Sequence, residues 1–206
     1  MRKLIVAAFI SLDGVVQAPG GPQEDTSGGF AHGGWIWPYA HESIEVMGGV
    51  FSRPFELLLG RRTWDIFAAY WPHVWDDAPH RTIADLFNGT AKHVATHRPA
   101  TLGWRNSRAL GPDIAAAVRE LKYGDGPDLV TQGSSELVRQ LLATDLVDEL
   151  RLLTYPILLG RGKRLFDGRA QASAFRLEAS KTSPTGVLVT RYVRDGEVRT
   201  GSFEPA

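Results

Sequence analysis

Leu4-Ile5-Val6-Ala7-Ala8-Phe9-Ile10 is an apolar run with no polar alternation. A strand with one wet face alternates, whereas a strand buried on both faces does not. The run therefore predicts a central strand in a largely parallel or mixed sheet covered by helices. Outward from it, strands alternate with helices. Phe55-Glu56-Leu57-Leu58-Leu59 reads as a strand stopped by Gly60. Thr63 then reads as an N-cap, with Asp65 in the first turn of a helix reaching about Tyr70. Residues 41–53 read as a helix, with Ile44, Met47, Gly48 and Phe51 on one face and Pro54 ending it. Another helix is expected over 80–88 and a short strand over 92–96. Asp113 caps a helix whose Ile114, Val118 and Leu121 share a face. Residues 128–132 form a strand broken at Gly133. The helix from Ser134 turns Leu137, Val138, Leu141 and Leu142 inward. A strand over 147–155 ends at Pro156. Segments 175–181 and 187–194 flank Ser183-Pro184-Thr185-Gly186 as a terminal antiparallel hairpin. Alternation followed by strands alone predicts an α/β domain with a mixed sheet.

Composition narrows the function. The 206 residues include no cysteine, and 23 basic residues balance 23 acidic ones. Disulfides, thiolate metal sites, iron–sulfur clusters and thiol nucleophiles are excluded, and no metal is expected. Zero net charge gives no footprint for nucleic acid or an anionic membrane. Met1-Arg2-Lys3 before an apolar run superficially resembles a signal peptide, but Asp13-Gly14 stand where small cleavage-site residues belong. The expectation is a soluble, cytoplasmic protein with no membrane partner, folded as one domain over 1–206.

Two places repeat one design, a buried strand ending in glycine with a helix directly after it. They are Leu57-Leu58-Leu59-Gly60-Arg61-Arg62-Thr63 and Leu129-Val130-Thr131-Gln132-Gly133-Ser134-Ser135. A helix start offers unpaired N–H groups and partial positive charge, and glycine lets the backbone approach a phosphate. Arg61 and Arg62 add guanidinium donors, and Ser134 and Ser135 add hydroxyls. Together they suggest a ligand with more than one phosphate, with Thr96-His97-Arg98 as a third piece. There is no G-x-G-x-x-G with a following acidic residue, and the arginines favour a 2′-phosphorylated cofactor, NADP over NAD. Residues 17–40 hold six glycines and three prolines beside Phe30, Trp35, Trp37 and Tyr39. A loop of that length and aromatic content is either a mobile lid over a ligand or a packed surface loop.

The ordered set Val6-Ala7-Ala8-Phe9-Ile10-Ser11-Leu12-Asp13-Gly14, Leu58-Leu59-Gly60-Arg61-Arg62-Thr63-Trp64 and Thr131-Gln132-Gly133-Ser134-Ser135-Glu136-Leu137 resembles the dihydrofolate reductase-like superfamily. Val147-Asp148-Glu149-Leu150, Pro156-Ile157-Leu158-Leu159-Gly160 and Gly162-Lys163-Arg164-Leu165-Phe166 extend the likeness over nearly the whole chain. It is closest to the reductase domain of the bifunctional riboflavin-biosynthesis deaminase-reductase. The resemblance implies a three-layer α/β/α fold with a mixed, mostly parallel sheet ending in an antiparallel hairpin, and NADPH as cofactor. It places cofactor phosphates at Gly60, Arg61, Arg62 and Thr63, and the adenosine 2′-phosphate beside Thr96, His97 and Arg98. Gln132, Gly133, Ser134, Ser135, Glu136 and Leu137 match the turn under the pyrophosphate, and Phe9 the nicotinamide contact. Asp13 and Gly14 open a lid over about 15–40. A homodimer is also implied, through the terminal strands.

The implied activity is reduction of a small nitrogen heterocycle, by likeness 5-amino-6-(5-phosphoribosylamino)uracil of riboflavin synthesis. Dihydrofolate reduction, or a non-catalytic ligand-binding module on the same fold, stays open. Five of six tryptophans lie between residues 35 and 75, where flat heterocycles could stack. Trp64 and Phe67 read as core, whereas Trp37, Tyr39 and Asp13 are the substrate-side candidates. His41, Glu42 and Glu45 sit in no matching motif, so no residue is assigned as proton donor. Without cysteine the deaminase half's zinc motif has no counterpart, so the reductase fold is expected alone.

Overall fold

Strand β1 (Leu4–Ser11) lies inside the sheet and pairs in parallel with β5 (Asp128–Thr131) on one side and β6 (Glu149–Tyr155) on the other. The computed structural model describes residues 1–40, 51–168 and 170–203. Beyond β5 come β2 (Phe55–Gly60), β3 (Lys92–Ala95) and the three-residue β4 (Ser107–Ala109), all parallel. Beyond β6, β8 (Leu188–Arg194) and then β7 (Phe175–Thr182) run antiparallel. The order is β4-β3-β2-β5-β1-β6-β8-β7. The mixed, mostly parallel sheet with a terminal antiparallel hairpin is as expected. β4 was not foreseen, because three residues carry no period to read.

Helices cover both faces. On one, α3 (Ile114–Tyr123) and α4 (Ser135–Ala143) press Val118, Leu137, Val138 and Leu141 against Leu4, Val6, Leu58 and Leu129. On the other, α1 (Arg61–Tyr70) and α2 (Arg81–Gly89) press Trp64, Ile83 and Phe87 against Ile5, Ala7, Leu57 and Leu59. Leu57, Leu58 and Leu59 are all fully buried although their side chains alternate in direction, which is why no polar residue interrupts the run. Each such side chain contributes about 1.5–3 kcal/mol by leaving water. Asp113 caps α3, its carboxylate accepting the Ala116 N–H at 2.9 Å. The helix expected over 41–53 falls largely on residues 41–50, outside the described residues, as do His41, Glu42 and Glu45.

Residues 17–40 contain two single 3₁₀ turns, Ser27–Gly29 and Trp37–Tyr39. Tyr155, fully buried at the end of β6, holds the loop down. Its ring meets those of Phe9, Trp35 and Tyr39 edge-on at 6.1, 5.2 and 5.3 Å. Such aromatic pairs contribute about 0.5–1.5 kcal/mol each beyond area burial. The Trp35 indole also donates to the Gln17 carbonyl at 2.8 Å. No helix of the described residues is long and apolar enough to cross a membrane.

Candidate active site at the strand ends

The two strand–glycine–helix turns sit side by side because β2 and β5 are parallel neighbours. Their helices leave to opposite faces, α1 toward Ile5 and Leu57, α4 toward Leu4 and Leu58. A crevice beyond the carboxyl ends of strands, where successive connections part to opposite faces, is the place where α/β sheets bind ligands. The Gly60 N–H donates to the Gly133 carbonyl at 3.1 Å, so the two corners touch through backbone. A Cβ on Gly60 would run into the Ser134 hydroxyl. Gly133 has φ of +140°, and a Cβ there would lie 2.8 Å from Thr63 Oγ1. Both glycines are therefore required by close approach, and together they leave a bare backbone cradle.

That packing corrects one expectation. Thr63 is not the N-cap of α1. The helix begins at Arg61, with Gly60 in extended conformation before it and no side chain capping it. Thr63 stands one turn in, its hydroxyl against Gly133, and Asp65 lies beyond the first turn. A side chain at the true cap position would collide with Ser134, so the helix starts bare and its first N–H groups keep their donor capacity.

A cavity of about 710 Å³ opens onto these corners. Arg62, Thr63, Gln132, Gly133, Ser134 and Ser135 line its polar part. Phe67, Tyr70, Trp71, His80 and Ile83 line an aromatic part. Eight residues of α1 separate Arg62 from Tyr70, roughly 12 Å of helix rise. Phe9, residues 17–25, Ile36, Trp37 and Lys163 are also part of the lining. In the aromatic part, Tyr70 Oη lies 2.6 Å from His80 Nε2 and the two rings stack. Burial pushes the Tyr70 hydroxyl's pKa up, so it stays a neutral hydroxyl able to donate.

The loop reaches the polar part through Asp25. Its carboxylate accepts from Arg62 Nη1 at 3.0 and 3.1 Å, Lys163 Nζ at 2.5 Å and Ser27 Oγ at 2.6 Å. Burial pushes Asp25 up, but the Lys163 ammonium and the Ser27 donors outweigh it and hold it below its ordinary value. Gln17 adds neutral anchors, donating to the carbonyls of Asp25 and Ser27 and accepting from the Lys163 N–H. Beside it, Glu24 accepts the Gly20 and Gly21 N–H groups. Burial raises its pKa despite those bonds, and neighbouring Asp25 adds to the rise.

The second arginine cluster lies outside the cavity lining. Arg61 donates to Thr96 Oγ1, the Arg98 carbonyl and Thr101 Oγ1 at 3.4, 3.2 and 2.6 Å, and pairs with Asp65 at 2.8 Å. Its guanidinium also lies over the Trp64 ring, 5.0 Å from the centroid. The structure thus joins Arg61 to Thr96 and Arg98, pieces far apart in sequence. His97 and Arg98 are exposed, and Arg98 Nη2 is 3.7 Å from Asp65.

Of the residues singled out from sequence, Phe9, Trp37, Arg62, Thr63, Gln132, Gly133, Ser134 and Ser135 line the cavity. Gly60, Arg61, Thr96, His97 and Arg98 lie alongside or beyond the paired corners rather than in the lining. Glu136 pairs with Arg139, and Leu137 is buried in the core. Tyr39 packs on Tyr155. Asp13 accepts the Leu159 and Gly160 N–H groups and pairs with Arg164, tying the 157–164 segment to the end of β1. Burial alone would raise Asp13, but these bonds and the Ser11 hydroxyl bring it to about 2. Sequence reading missed Gln17, Glu24, Asp25, His80 and Lys163. Lys163 lay within a quoted motif, whereas nothing local marks Asp25 as its partner.

Comparison with known proteins agrees with this architecture. Two uncharacterised proteins of Bacillus subtilis are similar. YyaP is 26% identical over 68% of this chain and 74% of its own length. YwjB is 23% identical over 94% and 98%. A solved structure from Shewanella sp. PV-4, whose name places it in riboflavin biosynthesis, superimposes with a TM-score of 0.61 at 19% identity, covering 94% of this chain and 99% of that one. A pyrimidine reductase-like protein from Corynebacterium diphtheriae superimposes at 0.52 with 14% identity, covering 95% and 93%. At those identities the likeness is one of fold. The family model for the RibD C-terminal domain matches residues 2–189, and the chain belongs to that reductase-like family.

Proposed function

We propose that the chain is an NADPH-dependent reductase of a small nitrogen heterocycle, with 5-amino-6-(5-phosphoribosylamino)uracil as the leading substrate. The observation that carries this is the pair of glycine corners opening on a cavity that is polar beside the corners and aromatic further along α1. A Cβ at either corner would fill the cradle, and two helix starts with Arg62, Thr63, Ser134 and Ser135 supply donors for a pyrophosphate. The donor set fits a dinucleotide. Gly60, Gln132, Glu136 and Leu137 belong to the same turns, and Arg61, Thr96, His97 and Arg98 suit the 2′-phosphate beyond them. When bound, NADPH supplies a hydride. The chain's own contribution is to hold cofactor and substrate in register and to keep water out. Phe9, near the end of β1, and Trp37, on the 15–40 lid, line the cavity and would flank the cofactor's nicotinamide and the substrate ring. Tyr70, hydrogen-bonded to His80, presents its hydroxyl to the aromatic part of the cavity, where a polar edge of the substrate would sit.

Tryptophan fluorescence titrated with NADPH and NADH tests the reading, because Trp37 is exposed on the cavity and Trp71 lines it. NADPH should quench more tightly than NADH, and its oxidation should then be driven by one member of a pyrimidine and pterin panel. Failure of both dinucleotides to bind refutes the proposal. The working state we propose is a cytoplasmic homodimer; among the described residues β7 pairs on one side only, with β8, which leaves an edge for a second copy. Sedimentation at twice the chain's mass tests that part.

A further inference from the structure

We propose that Arg62 and Lys163 form an anion subsite in the cavity, that Asp25 fills it as an internal stand-in, and that a ligand phosphate displaces Asp25 and so releases the tip of the 17–40 loop. The inference rests on the phosphate-cradle reading of the same site but not on which dinucleotide binds there.

The geometry is that of a small anion site. Two cations from separate elements, α1 and the segment after β6, converge on one carboxylate at 3.0 and 2.5 Å. The carboxylate side chain is only 10% exposed, and Ser27 gives it a hydroxyl at 2.6 Å and an N–H at 3.1 Å. All three charged residues line the cavity, as do Ser134 and Ser135. Four donors around a singly charged carboxylate suit a more highly charged, three-oxygen phosphate group better still. A guanidinium and an ammonium converging on one point also repel each other unless an anion lies between them.

Arg62 also donates to Ser27 Oγ at 2.9 Å, a bond the same anion would take, whereas the loop's remaining attachments do not answer to anions. Gln17 holds the carbonyls of Asp25 and Ser27 through neutral bonds, and Trp35 and Tyr39 pack on Tyr155. Displacing Asp25 therefore releases the tip from its charged anchors, while Gln17 still holds the Asp25 and Ser27 carbonyls to the base. Glu24 makes a natural control. It stands beside Asp25 with the same charge type, but its carboxylate is held by Gly20 and Gly21 N–H groups rather than by Arg62 or Lys163.

The test uses the full chain and inorganic pyrophosphate. Calorimetric titration should show Asp25→Asn binding pyrophosphate about tenfold more tightly than the parent, with Glu24→Gln within about twofold. Pyrophosphate added to the unaltered protein should speed amide exchange over residues 20–29 and leave β1 and β5 unchanged. Asp25→Asn should show that faster exchange without any anion. Unchanged or weaker binding by Asp25→Asn overturns the proposal, and so do equal gains in both variants or protection of the tip by pyrophosphate. The exchange measurement on the unaltered protein needs no variant to fold. Should pyrophosphate behave as expected while NADPH and NADH both fail to bind, the stand-in holds and the reductase reading falls.

Discussion

Replacing Arg98 by alanine should weaken NADPH about fivefold and leave NADH unchanged. Arg98 is 65% exposed at its side chain, with the Asp65 carboxylate 3.7 Å from its guanidinium. A hydrogen bond to a charged group contributes about 1.5–3 kcal/mol, and exposure puts this one at the low end. Leaving Asp65 costs a fraction of a kcal/mol, the usual size for an exposed pair. The remainder, about 1 kcal/mol, is a factor of about five. Arg62→Ala makes the contrast. Arg62 lies against the corners where the pyrophosphate common to both dinucleotides would sit, so NADPH and NADH should lose affinity together. The readout is the ratio of the two dissociation constants, from quenching of Trp37 and Trp71 at low and high ionic strength. The Arg98 effect should shrink as salt shortens the Debye length from about 10 Å at 0.1 M to about 3 Å at 1 M. Equal loss of both dinucleotides in Arg98→Ala, or the same ratio in both variants, would refute the separation of the two arginine sites.

Gly60→Ala should cost about 2 kcal/mol in urea unfolding, because its Cβ meets Ser134, and adding Ser134→Gly should recover more than half of that. Asp13 is lowered to about 2 from an ordinary 3.8, so its stabilisation, about 1 kcal/mol once solvent screening is allowed for, is complete above pH 3.8 and lost as pH falls through 2. Asp13→Asn should flatten the unfolding free energy over that window, and an unchanged slope would count against the tie to Leu159 and Gly160. Lys92 is fully buried, its ammonium held by the carbonyls of Asn88, Thr90 and Arg105. Burial first, and then the Arg105 charge, lower its pKa to about 8. The unfolded chain binds more protons between that value and 10.5, so stability should rise with pH across the interval in the parent. Lys92→Met should lack that rise, as followed by denaturant midpoints at each pH.

The parts of the fold visible in the sequence are those whose signal is local. Leu57-Leu58-Leu59 announce a doubly buried strand without reference to anything else, and Asp113 announces a helix start by its own carboxylate. Thr63 was misread by the same local logic, since a threonine three residues after a strand-ending glycine, with Asp65 just beyond it, looks like a cap. What displaces the helix start to Arg61 is Ser134, more than 70 residues away, pressing on Gly60. Strand neighbourhood belongs to topology, and no window of sequence contains it. The pairing of β2 with β5 was therefore invisible, and with it the fact that two weak anion signals form one cradle.

The same distinction explains the arginines. From sequence, Arg61 and Arg62 were equivalent hands for phosphate because adjacent residues share their composition context. One residue of helix rotates a side chain by about 100°, and that sends them to different places. Arg61 reaches the 96–101 turn and Asp65, whereas Arg62 reaches the loop and Asp25. Each cation proposed for phosphate already has a carboxylate against it, which is how an overall balance of 23 basic and 23 acidic residues is realised at the site. Because the arginines and lysine of this site are each paired, a polyanion binds here by exchanging with a carboxylate. The affinity of this site should therefore be set by the carboxylates at least as much as by the arginines, and variants of Asp25 and Asp65 carry more information about it than further removal of positive charge.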